Sequence, residues 1–377
     1  MTLSIAEVAR YQRHLSLREV GVAGQEKLKH ARVLVVGAGG LGSPAALYLA
    51  ASGVGTLGLV DCDRVDLSNL QRQILYATTD VGSAKAATAR TRLTAINPEI
   101  RVVAYDVELR ATNIRQIFSG YDVVLDGTDR LSTRYLVNDA CVALGKPLVS
   151  AAIHRFEGQA MTYVPRVSPC YRCLFPEAPE SVVPSCAEAG VLGVLPGVLG
   201  AIQATEAIKL LVGMGECLTG RLLTYDALEL RFREFRFERR ADCRACSAPE
   251  KIELRDAPAV CADVAGLRRL APAQLDELLS ESDALTRLAL VDVRSPKEYG
   301  AAHLLGSINI PIDELEGRMR EIPADHAPVF ICRSGTRSLR ACALANAAGI
   351  EQPSHLEGGL LAWAATVDTA FPVASVD

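Results

Sequence analysis

Three groups of side chains in this chain have the types and spacing to do chemistry. The first is Gly37, Gly39 and Gly42, a G-x-G-x-x-G run with Gly40 inside it, directly after the apolar stretch RVLVV. Glycines let a backbone turn sharply and approach a phosphate, and a helix opening just after them offers free N–H groups and a partial positive charge. The second is two C-x-x-C pairs, Cys170 and Cys173 in CYRC and Cys243 and Cys246 in CRAC. Together they supply the four thiolates of a tetrahedral structural zinc site, which would staple distant parts of the chain. The third is Cys332, which ends the apolar run PVFIC and is followed by Arg333, Ser334, Gly335, Thr336 and Arg337. A thiol where a strand hands over to a helix meets inward-pointing loop amides, and nearby arginines add positive potential. Both favour the thiolate.

The glycine run alone leaves a dinucleotide, another nucleotide and a purely structural turn all open. The residues after it narrow the choice. Asp61 ends the next strand, where a carboxylate can accept hydrogen bonds from ribose hydroxyls. Asp63, Asn69, Arg72 and Gln73 follow in DCDRVDLSNLQRQ, then Lys85 on a loop, and Asp129 at the carboxyl end of the strand YDVVLDGTD. Hydride transfer has little use for these groups. Attack of a carboxylate on the α-phosphate of ATP does, because charge accumulates on the phosphate oxygens and the departing pyrophosphate. Arg72 and Lys85 can supply fixed cations, and Asp129 can hold Mg²⁺.

The elements that must position these residues alternate. ARVLVVG, TLGLVD, RVVAYD and YDVVLDGTD read as strands, with helical stretches GGLGSPAALYLAASG and KAATARTRLTAI between them. Such alternation predicts an α/β fold with a mainly parallel sheet. SAPEKIELRDAPAVCAD has no clear period and reads as a joint, after which PAQLDELLS, LALVDVR, INIP, PVFIC and LRACALANAAG restart the pattern. The expected partition is a first domain over 1–246, a linker over 247–266 and a second, smaller α/β domain over 267–377. The 377 residues suffice for two cores, and a net charge of −4 with a pI near 6.0 gives no global basic field for nucleic acid. The basic run RFREFRFERR reads as a solvated strand face with Phe235 and Phe237 on one side. The apolar stretch from Ala189 to Gly213 is interrupted by Pro196, Gln203, Glu206 and Lys209, so a buried helix is expected rather than a membrane span. The absence of an export signal and an odd count of 11 cysteines point to the reducing cytoplasm.

RYQRHL, GAGGLG, DCDRVDLSNLQRQ, DGTD and SCAEAGVLGVLPG resemble the MoeB/ThiF family, bacterial relatives of the ubiquitin-activating enzymes, over about residues 5–246. The resemblance implies a Rossmann-like domain that adenylates the C-terminal glycine of a ubiquitin-like sulfur-carrier protein ending in Gly-Gly. It implies ribose binding by Asp61, phosphate binding by Asn69, Arg72 and Lys85, and metal binding by Asp129. It also implies that Arg13 reaches the ATP site of a neighbouring subunit in a homodimer, and it supports zinc at the two C-x-x-C pairs. Cys186 in VPSCAEAG falls where family members can carry a covalent step with the carrier, or a spectator thiol.

The loop after Cys332 is tighter than that of cysteine phosphatases, which place an arginine six residues after the cysteine; here that place is Ser338, and Arg337 is one residue earlier. The tighter loop resembles that of rhodaneses, whose cysteine carries a persulfide. VDVRSPKEYGAAHLLGSINIP and HLEGGLLAWA extend the likeness over about residues 267–370, with Asp292, Arg294 and His303 read as structural. The expected reaction is ATP-dependent adenylation of the carrier, then sulfur transfer from a Cys332 persulfide to give a thiocarboxylate, directly or through Cys186. The persulfide would be loaded by thiosulfate or a cysteine desulfurase. A nicotinamide oxidoreductase, or a scaffold that binds ubiquitin-like proteins without catalysis, are the competing readings. The intact polar set around the glycine loop argues against both.

Overall fold

The computed structural model describes residues 2–176, 190–256, 268–281, 287–323, 325–350 and 352–372. The chain divides into two compact units, Met1–Ala257 and Pro258–Asp377. The first is built on eight strands: β1 (Arg32–Val36), β2 (Thr56–Val60), β3 (Arg101–Tyr105), β4 (Val123–Asp126), β5 (Leu148–His154), β6 (Glu157–Tyr163), β7 (Arg221–Asp226) and β8 (Arg231–Arg236). They lie in the order β3-β2-β1-β4-β5-β6-β7-β8. β3 through β5 pair in parallel, and β5 through β8 continue as an antiparallel meander.

The β1 sequence explains why it sits centrally. Val33 and Val35 enter the core on one face of the sheet, and Leu34 and Val36 enter a second core on the other. A strand apolar on both sides must be covered on both faces, which parallel α/β sheets achieve with crossover helices. The strand order reverses between β2-β1 and β4, so a crevice opens at the carboxyl ends of β1 and β4, where such sheets bind ligands.

The helix Leu195–Val212 is long and apolar enough, by length and composition, to cross a membrane, yet half of it is buried in this unit. It packs on the helix Gly42–Ala51 and on β5 and β6. Gln203, fully buried, donates to the carbonyls of Asp126 and Val149, and Glu206 accepts from Thr162 and the Leu218 amide. The Gln203 amide nitrogen and the Glu206 carboxylate are paired within the sheet's own core, as a core helix requires, while the Gln203 Oε1 is buried without a partner. β8 is exposed along its length, with Phe235 54% exposed, whereas Phe237 lies just past the strand and packs near Met161 and Tyr171. The stretch after Cys246 packs onto this first unit: Ile252 and Leu254 join its core and Asp256 accepts from the Ala111 amide at 2.6 Å.

The second unit holds β9 (Arg268–Leu270), β10 (Leu288–Asp292), β11 (Ile308–Asn309), β12 (Ala327–Ile331) and β13 (Ser354–Leu356) in the order β11-β10-β12-β13-β9, all parallel. β12 alternates as β1 does: Val329 and Ile331 face one core, Phe330 and then Cys332 the other. Cys332 is thus the first residue past a central strand, with its side chain buried.

Candidate functional site

The carboxyl edge of the first sheet gathers most of the residues expected to handle a nucleotide. Gly37 turns the chain out of β1 at a φ of +85°, and a Cβ there would meet the Gly127 carbonyl at 2.9 Å. Gly42 is tighter still, since a Cβ would lie 1.9 Å from the Gly37 carbonyl oxygen. These glycines let the loop double back so that the helix Gly42–Ala51 points its first turn at the crevice. Gly39 and Gly40 face Gln73 and Arg72: a Cβ at each would stand 3.5 Å from the Gln73 amide nitrogen and 3.6 Å from the Arg72 Cδ.

Asp61 accepts from the Ala38 amide at 2.8 Å and the Asp63 amide at 2.9 Å, locking the glycine loop to the end of β2. Burial pushes its carboxyl up, against the pull of Lys85 and the two amides. Lys85 is the first residue of the helix Lys85–Ile96 rather than part of a loop, and its buried ammonium pairs with Asp63 at 3.0 Å. Asn69 accepts from Gln73 at 2.8 Å, and the Gln73 Oε1 is buried without a hydrogen-bond partner. Arg72 is half-buried and donates to the Ser68 carbonyl at 3.2 Å.

Asp129 is not at the strand end. β4 stops at Asp126, and Asp129 lies exposed in the loop that follows. Asp126 is the residue sequence reasoning missed. It is fully buried and accepts from Arg134 at 3.0 Å, Ser150 at 2.9 Å and the Thr128 hydroxyl at 2.7 Å. Arg134 also donates to the Thr128 carbonyl at 2.7 Å, so this buried cluster fixes the turn that presents Asp129. DGTD contains both carboxylates; the apolar run before the first one was the signal that it is buried. Arg13 is exposed in the last turn of the helix Ile5–Leu15. Tyr11 of that helix packs against Gly53 and Asn97, at the amino-terminal edge of the sheet, so Arg13 does not join the other groups within one chain. Cys186 lies outside the described residues.

The four knuckle cysteines converge. All four Sγ atoms lie within 4.8 Å of one another and are buried, with Cys170 3.7 Å from Cys243 and Cys173 3.4 Å from Cys246. Zn–S bonds of about 2.3 Å in a tetrahedron put sulfurs about 3.8 Å apart, so the donor set and its spacing fit zinc.

In the second unit the Cys332 sulfur accepts from the Gly335 amide at 3.1 Å and the Ser338 amide at 3.3 Å. Gly335 takes a φ of +91° to curl the loop, and the helix Thr336–Ala347 starts behind it. The amides of Leu360 and Leu361 hold the Cys332 and Arg333 carbonyls from outside, each at 2.9 Å. Gly359 permits that approach, because a Cβ there would meet the Cys332 carbonyl oxygen. The Arg333 Nε is buried without a hydrogen-bond partner, as a group reserved for an anion would be. Ser334 is exposed. Arg337 departs from expectation: its guanidinium pairs with Glu298 at 2.8 Å through both terminal nitrogens, so its charge is matched within the fold. Sequence reasoning also missed Ser338, whose hydroxyl lies 3.5 Å from the Cys332 sulfur. Asp292 and Arg294 form a fully buried, multiply hydrogen-bonded pair that ties β10 to the Ala302 carbonyl. His303 is exposed and stacks on Tyr299.

Comparison with known proteins agrees with this two-part chemistry. The ThiF family model matches residues 11–245, and the rhodanese-like domain model matches residues 271–366. A Mycobacterium tuberculosis protein named "Probable adenylyltransferase/sulfurtransferase MoeZ" is 46% identical over 96% of this chain and 94% of its own length. The Aedes aegypti "Adenylyltransferase and sulfurtransferase MOCS3" is 41% identical over 97% of this chain and 89% of its own. A Thermus thermophilus "Sulfur carrier protein adenylyltransferase" is 53% identical over 68% of this chain and 97% of its own. Among solved structures, E. coli MccB with ATP is 25% identical with a TM-score of 0.55, covering 60% of this chain and 70% of that one. The chain belongs to the ThiF family, carries a C-terminal rhodanese-like domain, and is an ATP-using enzyme of adenylyl and sulfur transfer.

Proposed function

We propose that the enzyme adenylates the C-terminal glycine of a ubiquitin-like sulfur carrier ending in Gly-Gly and then replaces AMP with sulfur delivered from Cys332. The single observation that carries this reading is the pairing, in one chain, of a glycine-loop crevice ringed by Asp61, Arg72 and Lys85 with a buried thiol held by two loop amides. Gly37, Gly39, Gly40 and Gly42 let the backbone approach the phosphates. Asp61 binds the ribose, with Asp63 holding Lys85 in place. Asn69, Arg72 and Lys85 meet the phosphate oxygens, and Asp129 would hold Mg²⁺, which would supply charge neutralisation at the phosphates. Cys170, Cys173, Cys243 and Cys246 hold a structural zinc. The active form is a cytoplasmic homodimer in which Arg13 serves the partner's site. Two domains, 1–246 and 267–377, divide the labour around a linker.

The carrier carboxylate attacks the α-phosphorus and pyrophosphate leaves. The outer sulfur of the Cys332 persulfide, cradled by the loop from Arg333 through Arg337, then attacks the acyl carbon, and the C–O bond to AMP breaks. A thiol, from Cys186 or from solution, cleaves the resulting acyl disulfide to release the thiocarboxylate. A second thiol reduces the mixed disulfide left behind. Thiosulfate or a cysteine desulfurase reloads Cys332.

Intact mass of candidate carriers after incubation with enzyme, ATP, Mg²⁺, thiosulfate and a thiol tests this. Exchange of one terminal oxygen for sulfur, lost without ATP and lost in Cys332→Ala, is the expected result. AMP formation with thiosulfate consumption but no carrier mass change would assign the two chemistries to separate acceptors.

A further inference from the structure

Behind the Cys332 loop lies a polar contact chain that the sulfur-transfer reading does not use. Ser338 is fully buried, and its hydroxyl sits among three partners: the Gly335 carbonyl at 3.0 Å, the Cys332 sulfur at 3.5 Å and the His355 Nδ1 at 3.3 Å. His355 lies on β13, adjacent to β12, the strand that leads into Cys332, and is 5% exposed. A serine hydroxyl has one proton, so it cannot serve all three partners at once.

We propose that Ser338 and His355 form a switchable hydrogen-bond pair that sets the charge state of the Cys332 sulfur, with Ser338 touching the sulfur and His355 acting through Ser338 as a positioning residue. When Cys332 is a thiol, its S–H donates to the Ser338 oxygen and the serine proton goes to the Gly335 carbonyl. When the sulfur is anionic, the serine proton rotates onto it and His355 donates Nδ1–H to the serine oxygen. The histidine thus fills the lone pair that the rotation leaves empty. Burial, with Arg269 adding to it, lowers the His355 pKa and keeps the ring neutral, which leaves one ring proton to be placed by tautomer.

This inference rests on Cys332 as the sulfur-bearing thiol. In loading, the thiolate attacks the outer sulfur of thiosulfate, a new S–S bond forms, and sulfite leaves with the electron pair of the old one. When an acceptor such as cyanide takes that sulfur, the pair of the Cys–S bond returns to Cys332 as thiolate. Both steps create or consume charge on the sulfur that Ser338 touches. The other charged or titratable groups around the pair are Arg269 on β9, Glu357 past β13, Cys342 on the Thr336–Ala347 helix, Arg333 and the Arg337–Glu298 pair. Ser338 reaches the sulfur directly through hydrogen-bond geometry, and His355 reaches it only through Ser338.

The test is the pH profile of kcat/KM for thiosulfate, with cyanide as acceptor, in the full chain. A hydrogen bond to a charged group is strong enough for Ser338→Ala to raise the acid-limb midpoint by about one pH unit, which lowers kcat/KM about tenfold at pH values below both midpoints. His355→Phe shifts the midpoint the same way. The double variant does no worse than Ser338→Ala alone, since the histidine acts through the serine. Ser338→Thr and His355→Asn, which retain the hydroxyl and the donor, stay near wild type. An unmoved midpoint in Ser338→Ala overturns the inference, as does a His355→Asn enzyme as impaired as His355→Phe. Should His355→Phe fail to fold, Ser338→Ala and His355→Asn decide the matter. Failure of the underlying reading looks different: wild type would then gain no persulfide mass from thiosulfate, or Cys332→Ala would gain it.

Discussion

Arg337 grips Glu298 at both ends, each terminal nitrogen 2.8 Å from one carboxylate oxygen. Burial alone would raise the Glu298 pKa, but Arg337 and Ser295 outweigh it and hold the group at about 2. A carboxylate depressed in the folded state adds stability above its ordinary value of 4.5, and that stability is lost as pH falls toward about 2. Glu298→Gln should therefore cost about 2 kcal/mol at neutral pH, less than a fully buried pair because Arg337 keeps some exposure. The variant should also lose the wild-type decline in that acid window. The Arg337 charge, no longer offset by Glu298, should lower KM for thiosulfate. Thermal unfolding across pH and the sulfurtransferase assay measure both, and an unchanged KM would mean Arg337 does not act on the anion.

The two carboxylates of DGTD should separate on substitution. Asp126→Asn removes the charge that balances buried Arg134 and should destabilise the first unit by about 3–5 kcal/mol. Asp129→Asn is exposed and should leave stability within about 0.5 kcal/mol. Its carrier-dependent exchange of pyrophosphate into ATP should nonetheless fall at least about 100-fold. Equal losses of stability in both variants would contradict the separation of roles.

That pair marks how far the sequence could be read. Element types and the two-unit pattern were legible because β12 and, after Arg32, β1 are short apolar runs followed by glycine-bearing turns. The glycine loop, Asp61, Arg72 and Lys85 are local in sequence, and the structure brings them together. What sequence did not reveal depends on distance. Glu298 and Arg337 are 39 residues apart, and Arg134 reaches back across a turn to Asp126. Which arginine is already paired is a tertiary outcome that no local spacing encodes, whereas the burial of Asp126 was signalled by the apolar run before it.

Gly39 and Gly42 should also respond differently to alanine. At Gly42 the new methyl would meet the Gly37 carbonyl at 1.9 Å, so Gly42→Ala must distort the loop and lower both stability and ATP binding. At Gly39 the nearest atom would be 3.5 Å away, so the fold has room. Gly39→Ala should keep the wild-type Tm yet weaken ATP, because the methyl stands where a phosphate must approach. Isothermal titration beside a melting curve distinguishes the two.

Zinc should stabilise the first unit selectively. The buried sulfurs of Cys170, Cys173, Cys243 and Cys246 join β6's far end to the segment beyond β8. Stripping metal with a chelator, or Cys243→Ser, should lower that unit's Tm while thiosulfate–cyanide turnover at Cys332 persists. Metal analysis should return one zinc per chain. Equal unfolding of both units on chelation would mean that the metal does more than staple the first.

Arg13 sits on a helix that packs at the amino-terminal edge of the sheet, while the glycine loop lies at the carboxyl edge. If it serves the partner's site, two inactive variants should rescue each other. In a mixed dimer of Arg13→Ala and Asp129→Asn, the site on the Arg13→Ala chain has its own Asp129 and receives Arg13 from the partner. The other site lacks both. Random exchange of subunits at equal amounts should then restore about a quarter of wild-type adenylation, because half the dimers are mixed and each has one complete site. If Arg13 acts within its own chain, each site in the mixed dimer lacks one group and mixing restores nothing. Refolding the variants together and assaying pyrophosphate exchange decides between these outcomes without any assumption about the carrier's identity.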